Sequence, residues 1–462
     1  MSIPPKRMDA TDLETLARWS GGVLFSGDPA ACVANVCTDS RALKAGDLFV
    51  ALRGEKFDAH TFVAEAARLG AAAALVEEVA PELPAGFGVI KVPNTLLALQ
   101  RLSANYRRGL GLQVVAITGS NGKTSTKDLT AAVLGEELRV TKTEGNFNNH
   151  IGLPLTMLRA KSSDQVGVFE IGMNHPGEIA PLAALAAPDV AIITNIGIAH
   201  IEFMGTREAI AQEKGMLAAA LPPSGTVILS VDDDFSKSIA ARTKADAVFA
   251  GIGSGDVQAK NLRPQASGTR FELAADGRSV EAEVPVPGEH MVRNALLAVA
   301  AGRLFGLSLE TCATGLAKLK LTRGRLEMKF ARGIQILDDT YNANPDSMAA
   351  ALRTLANLPA TGRRIAVLGA MGELGAEAER GHKSVGEVAA RERIDCVIGV
   401  GEQAGWIAET AERGGVAQVM RLANADAATA LLREIAKAGD VVLIKGSRSA
   451  KMERIVEGLQ AP

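Results

Sequence analysis

Between residues 113 and 232 four unbroken apolar runs, QVVAITG, VGVFEIG, VAIITNIG and TVILSVD, alternate with stretches that read as helices. A strand that is apolar at every position must be covered on both faces, and a helix between successive strands carries the chain back to start the next one parallel. The pattern therefore demands a mostly parallel sheet between helical layers. The same rhythm returns after residue 325 in IQILDDT, RRIAVLGAMG, DCVIGVG and DVVLIKGS. Several of these strands end in small, polar or charged residues, at the edge where open α/β sheets bind ligands. Residues 256–286 break the rhythm by alternating apolar and polar positions around Asp276-Gly277, which predicts antiparallel hairpins at the sheet's edge.

A further α/β stretch comes first, with DLFVALRG and AAAALVEE flanking the helical HTFVAEAARLG. Next, PNTLLALQRLSANYRRG reads as an amphipathic helix with basic residues in its last turn and Gly109 as its stop. A chain of 462 residues exceeds one ordinary core. The expectation is an α/β protein of three domains: a small N-terminal one over 1–93, a central ATPase-like one with a phosphate loop over 94–324, and a C-terminal Rossmann-like one over 325–462.

With 50 basic residues against 52 acidic ones, and no basic stripe interleaved with aromatics, nucleic acid is not an expected partner. The N-terminus lacks the charged-then-apolar layout of a signal peptide, and no apolar run approaches the roughly 20 residues that span a bilayer. The expected location is the cytoplasm. Four cysteines with no C-x-x-C among them fit a reducing compartment, argue against a zinc site, and are expected to be buried and inert.

The chemistry concentrates at AITGSNGKTS, residues 116–125. It resembles a phosphate-binding loop, yet its first glycine is two positions too close to the Gly-Lys-Thr of the common G-x-x-x-x-G-K-[ST] form. A strand runs into Gly119, Ser120, Asn121 and Gly122, and a helix opens at Lys123, followed by Thr124 and Ser125. Backbone N–H groups and the helix N-terminus would face an anion there, Lys123 would reach terminal phosphates, and the Thr124 hydroxyl would ligate magnesium. The plain alternative is a turn that binds nothing. Glu170 and His200 follow sheet strands and are candidate metal ligands, although each alone reads equally well as a solvated carboxylate and a satisfied structural histidine. Gly369, Gly372 and Gly375 follow an apolar strand as well, but their G-x-x-G-x-x-G spacing does not meet the dinucleotide fingerprint.

The loop is followed in order by TEGNFNNHIGLPLT, FEIGMNHPGEI, NIGIAHIEFMG, EKGML, GEHMVRNALLA, Gly324-Arg325 and LDDTYNANPDSM. This series resembles the ATP-dependent Mur ligases of peptidoglycan synthesis, whose own loop has the shorter G-x-x-G-K-T form, and the likeness covers nearly the whole chain. Tyr341 to Pro345 (YNANP) and TDSRALKAGDLFVALRGEKFDAHTF are most similar to the branch that adds D-alanyl-D-alanine to UDP-N-acetylmuramoyl-tripeptide. The D-N-P-R string usual in the branch that adds the third amino acid does not occur. Another amino-acid-adding member of the family is the alternative.

The resemblance implies ATP and magnesium, with Lys123 on the phosphates and Thr124, Glu170, His200 and Lys214 around the metal. Lys214 matches a lysine that family members carbamylate, which would turn an ammonium that repels the cation into a carboxylate-like ligand. A solvated lysine on a helix face is the plain alternative. Asn294 matches a contact to adenine, and Arg325 and Asp339 match residues of the nucleotide site. His290 and Asn294, four apart, share a helix face, while Met291 stands where the family often has Asn. Asn146, Asn148 and Asn149 match an asparagine-rich turn near substrate, of a kind that also forms for local reasons. Ser40 and Arg41, with Asp58 and His60, match elements near the uridine diphosphate end. Tyr341, Asn342, Asn344, Lys445 and Ser447 are assigned to the dipeptide side. A monomer is expected, and the third residue of the tripeptide stays open.

Overall fold

The computed structural model describes residues 8–54, 57–265 and 267–461. The reading of the N-terminal seven residues as free of a leader, and Glu55-Lys56 of the first-domain motif, lie outside them. The chain is α/β, with N-terminal, central and C-terminal domains built on mostly parallel sheets. It divides into two compact units, one of residues up to Ala116 with Leu138–Gly172 and Ala180–Asp189, the other of Ile117–Glu137, Met173–Ile179 and Val190 onward.

In the first unit a five-stranded sheet runs in the order Val23–Ser26, Gly88–Lys91, Ala73–Val76, Leu48–Val50, Val36–Cys37. Only its first pair is antiparallel. Ala73–Val76 is buried at every position because alternate residues enter different cores: Ala73 and Leu75 pack with the helices Leu13–Ser20 and Thr95–Leu110, whereas Ala74 and Val76 pack with Val63 and Ala66 of the helix Val63–Arg68. The helix Thr95–Leu110 is capped by Asn94, which accepts from the Leu97 amide, and it ends at Gly111, at φ +66°. The expected stop at Gly109 is thus corrected by two residues. A glycine costs a helix only about 1 kcal/mol, so Gly109 is carried through, and termination waits for the position that needs a left-handed residue. Tyr106 anchors this helix, its buried hydroxyl donating to the Ala160 carbonyl (2.7 Å) and accepting from the Asp9 amide (2.8 Å). The unit also holds the parallel pair Val140–Lys142 and Val166–Glu170.

In the second unit Val190–Ile193, Thr226–Ser230, Asp246–Ile252 and Val257–Gln265 pair successively in parallel. Gly268–Ala275 and Arg278–Val284 then add antiparallel, as the alternating pattern predicts. Asp276 and Gly277 both take positive φ (52° and 71°), matching a turn whose twist suits a two-residue hairpin. A six-stranded sheet follows in the order Glu327–Ala331, Ile334–Asp339, Val441–Lys445, Arg364–Gly369, Cys396–Val400, Gln418–Leu422, antiparallel only at its first pair.

Cys37, Cys312 and Cys396 are buried, and burial pushes the last two thiols up to about 11. Cys32 is exposed, which corrects the expectation for that residue: it sits on a two-residue strand with its side chain outward. None of the described helices is long and apolar enough to cross a membrane.

Candidate active site

The strand Gln113–Thr118 delivers the chain to Gly119 at φ +148°, and Gly122 at φ +80° starts the helix Lys123–Leu134. Both positions require glycine for space as well as conformation. A Cβ on Gly119 would fall 1.9 Å from Thr194 Oγ1, and one on Gly122 would fall 2.7 Å from Asn294 Oδ1. The N-cap residue is Gly122, which has no side chain to satisfy the first amides, so the positive end of the helix faces the turn. The turn itself is braced by residues 194–197. The Ser120 amide donates to the Asn195 carbonyl (2.9 Å) and the Asn121 amide to Asn195 Oδ1 (3.0 Å). The Asn121 carbonyl accepts from Thr194 Oγ1 (2.5 Å) and Asn195 Nδ2 (3.0 Å), and the Gly197 amide donates to Ser120 Oγ (2.8 Å). Two residues fewer than the common loop still make a fixed cradle, because a neighbouring strand end supplies the bonds.

Lys123 folds over this cradle, its Nζ donating to the carbonyls of Gly119 (2.6 Å) and Ser120 (3.4 Å). Thr124 and Ser125 are buried behind it. Lys214, on the helix Arg207–Ala219, is 0 % exposed, and its Nζ has no hydrogen-bond partner among the described residues. Burial first, then the like charge of Lys123, hold its pKa well below the usual lysine range, against the opposing pull of Glu213. Glu213 is occupied elsewhere, accepting from the amides of Gly177 (2.9 Å) and Ile179 (2.8 Å). Lys214 is therefore no solvated helix lysine; it is a buried amine whose charged form is disfavoured.

His200 takes a left-handed backbone (φ +64°), and its Nδ1 lies 2.6 Å from a Glu373 carboxylate oxygen without the alignment of a hydrogen bond. Glu373, also left-handed at φ +60°, is held below its ordinary pKa chiefly by this imidazole. Sequence reading met Glu373 only inside the glycine run of the dinucleotide alternative. Thr194 and Asn195 were likewise missed, although Asn195 opens the motif that holds His200 and Thr194 directly precedes it.

Asn294, buried on the helix Glu289–Leu304, packs against Gly122 and has Met291 Sδ as a soft neighbour at 3.9 Å. Arg325 stacks its guanidinium on the Tyr341 ring at 4.2 Å. Asp339 Oδ2 accepts from Lys445 Nζ (2.6 Å) and Oδ1 from the Leu326 amide (3.3 Å), while Lys445, 2 % exposed, also donates to the Asn342 carbonyl (2.9 Å). Asp339, Lys445, Asn342 and the Arg325–Tyr341 pair thus gather at one place. Burial pushes His290 down to about 4, against the Asp339 carboxylate. Ser447 is buried, its amide bonded to the Ala370 carbonyl (2.9 Å).

The remaining candidates belong to the first unit. Glu170 ends its strand 3 % exposed; Oε1 accepts from Asn148 Nδ2 (2.9 Å) and Oε2 has no hydrogen-bond partner among the described residues. The asparagine turn divides its labour. Asn148 holds Glu170, Asn149 Oδ1 accepts from the Gly152 amide (2.8 Å) at the start of a helix, and Asn146 is exposed. Arg41 doubles back onto Asp39 (2.8 and 2.7 Å), beside Ser40 in the same short turn. His60 is satisfied at both ring nitrogens, with Nδ1 on Asp58 (2.6 Å) and Nε2 accepting from the Glu77 amide (2.9 Å). Hydrogen bonds from the His60 amide and ring help hold the Asp58 carboxyl down at about 2. Among the described residues no group of three or more His, Cys, Asp and Glu is placed to hold a metal ion.

Comparison with known proteins covers the whole of this frame. Three family profiles match: "Mur ligase family, catalytic domain" over residues 33–107, "Mur ligase middle domain" over 117–302, and "Mur ligase, glutamate ligase domain" over 324–448. The UDP-N-acetylmuramoyl-tripeptide–D-alanyl-D-alanine ligase of Bacillus subtilis is 41% identical over 433 residues, covering 92% of each chain. That of Escherichia coli is 39% identical over 431 residues, covering 92% of this chain and 93% of the relative. The crystal structure of MurF from Acinetobacter baumannii superposes with a TM-score of 0.89 at 33% identity, covering 98% of this chain and 99% of that one. MurF ligase from Thermotoga maritima in complex with ADP gives 0.83 at 30% identity, covering 92% and 97%. With a fold, a phosphate cradle and relatives that agree from end to end, the chain belongs to the Mur ligase family.

Proposed function

We propose that this chain is an ATP-dependent carbon–nitrogen ligase that joins D-alanyl-D-alanine to UDP-N-acetylmuramoyl-tripeptide, releasing ADP and phosphate and forming the pentapeptide precursor of peptidoglycan. The observation that carries the reading is the cradle: two glycines that tolerate no Cβ, an uncapped helix N-terminus, and Lys123 folded over both. Relatives of this name at 41% and 39% identity support the substrates.

Joining a carboxylate to an amine in water is uphill, so the carboxylate first needs a better leaving group. An oxygen of the tripeptide's terminal carboxylate attacks the γ-phosphorus, the bond to the β-phosphate oxygen breaks, and ADP leaves an acyl phosphate. The dipeptide amine attacks that carbonyl, loses a proton, and phosphate departs from the tetrahedral carbon. Lys123 swings from the carbonyls of its own loop onto the terminal phosphates, and the helix N-terminus holds the negative charge in place, which is the main form of catalysis in phosphoryl transfer. No protein nucleophile is required.

Magnesium fits the residues present. Glu170 Oε2, buried and without a hydrogen-bond partner among the described residues, suits a cation; the Thr124 hydroxyl and the His200 imidazole are the oxygen and nitrogen ligands that the family likeness would add to the set. A bound magnesium would neutralise charge on the transferring group. Lys214 joins that set only as its carbamate. Its buried amine, whose charged form burial disfavours, would attack carbon dioxide, and its Nζ has no hydrogen-bond partner among the described residues. In this reading the chain works as a cytoplasmic monomer. Residues 1–93 bind the uridine diphosphate end through Ser40, Arg41, Asp58 and His60; 94–324 bind ATP, with Asn294; and 325–462 take the dipeptide, while Arg325 and Asp339 complete the nucleotide site.

The test is ADP release with a panel of UDP-N-acetylmuramoyl-tripeptides, with D-alanyl-D-alanine and with single amino acids. Turnover that needs the dipeptide is expected. Turnover with a single amino acid on a shorter acceptor would replace this reading by that of another amide ligase of the family. Lys123→Ala is expected to abolish ligation with the fold intact.

A further inference from the structure

Asn344 uses the two ends of its side-chain amide on two different structures. Its Oδ1 accepts from the Ser347 amide (2.9 Å) while Ser347 Oγ receives the Asn344 amide (3.0 Å), a capping box that opens the helix Pro345–Asn357. Its Nδ2 donates to Asn121 Oδ1 at 2.7 Å, across 223 residues of sequence. Because the cap demands the oxygen on the helix side, the amide has one orientation, and the N–H must face the phosphate loop. The backbone of Asn121 is fixed by Thr194 and Asn195, and Asn344 fixes its side chain. Two residues on, Asp346 Oδ2 accepts from the Ile198 amide (3.0 Å) and lies where a Cβ on Gly197 would come within 2.1 Å. Gly197 is itself bonded to Ser120. The first turn of this helix therefore touches both the loop and the turn that braces it.

Sequence pattern assigned Asn344 to the dipeptide side. We infer instead that Asn344 is a positioning residue for the nucleotide: its N–H holds Asn121, and through it the phosphate loop, in the form that binds phosphates. This rests on the loop's being the ATP site. The competing role is the cap alone. Serine separates the two, since its hydroxyl caps a helix about as well as an asparagine does but is too short to reach Asn121.

The probe is ADP, titrated calorimetrically into the full chain in the presence of magnesium. Asn344→Ser is expected to keep the helix capped and lower the thermal midpoint only slightly, yet bind ADP about tenfold more weakly, the scale of losing one partner of a part-buried hydrogen bond that orders the loop. Asn121→Ala should show a similar loss, and the double variant no further one. In steady state, KM for ATP should rise and KM for D-alanyl-D-alanine stay unchanged. Wild-type ADP affinity in Asn344→Ser, fully additive losses in the double variant, or a rise confined to KM for the dipeptide would each overturn the inference. Failure of the wild-type chain to bind ADP would overturn the ATP-site reading first, and the inference with it.

Discussion

The phosphate loop and the Asp39–Arg41 turn are both short polar segments that follow strands, yet they are held in opposite ways. The loop's partners come from Thr194, Asn195, Gly197 and Asn344, between 73 and 223 residues away. The turn is held from within: Asp39 receives the Arg41 amide and guanidinium two residues on, and the Arg41 side chain is 88 % exposed. Bonds between distant segments fix a geometry, because moving one group means moving an element. Bonds within three residues fix only a local shape and leave the side chain free to change partners. In the reading proposed here, the first arrangement suits a group that must meet a transferring phosphoryl, and the second a group that closes onto a substrate.

The largest effect expected from breaking this comparison is at Gly119. Gly119→Ala places a Cβ 1.9 Å from Thr194 Oγ1 at a φ of +148°, and should abolish ADP binding in calorimetry and lower stability in urea by about 2–3 kcal/mol, the scale of overpacking plus backbone strain. A variant that binds ADP normally would show that the loop is not rigidly braced. Lys214 comes next. Lys214→Ala should be inactive and partly rescued by added short carboxylic acids, while Lys214→Met should be inactive yet at least as stable as the wild type, since it removes a buried polar group with no hydrogen-bond partner among the described residues. Wild-type activity in Lys214→Ala without added acid would refute the carbamate.

His290 gives a pH signature. Its folded pKa of about 4 lies below the ordinary 6.5, so between these values the unfolded chain holds a proton that the folded chain does not. Stability should therefore fall on acidification through that window, and urea titrations from pH 7 to 4 should show a shallower fall in His290→Gln. At the self-contained end, His60→Ala leaves the Glu77 amide without its acceptor and should cost about 1 kcal/mol. The smallest effect is expected at Arg41, where Arg41→Ala should leave stability in urea essentially unchanged, because an ion pair this exposed contributes little. It should nevertheless raise KM for the uridine diphosphate substrate. A large loss of stability there would erase the contrast.

Most of the fold was legible because unbroken apolar strands and the alternating hairpin segment are written in side-chain periodicity. What escaped was short or half-exposed. Val140–Lys142 has three residues, and Gln418–Leu422 carries Gln418 and Arg421 outward, so neither offers a run long enough to read. The end of the helix at Gly111 was missed because two glycines compete there, and only backbone conformation separates them. In the site, the loop residues announced themselves by spacing. Glu373 and Asn195 did not, because a single acid or amide in a loop has no periodicity to betray it.

By itself the sequence determined the layered α/β architecture, the position of the phosphate loop and the order of the motifs, since apolar period, glycine placement and local capping are properties of neighbours in the chain. Tertiary structure alone decided that Lys214 is buried and without a hydrogen-bond partner among the described residues, that Lys445 serves Asp339, and that Asn344 reaches Asn121. The Lys445 and Asn344 contacts join residues 106 and 223 positions apart. Such contacts depend on how strands and helices are packed against one another, which no local pattern encodes.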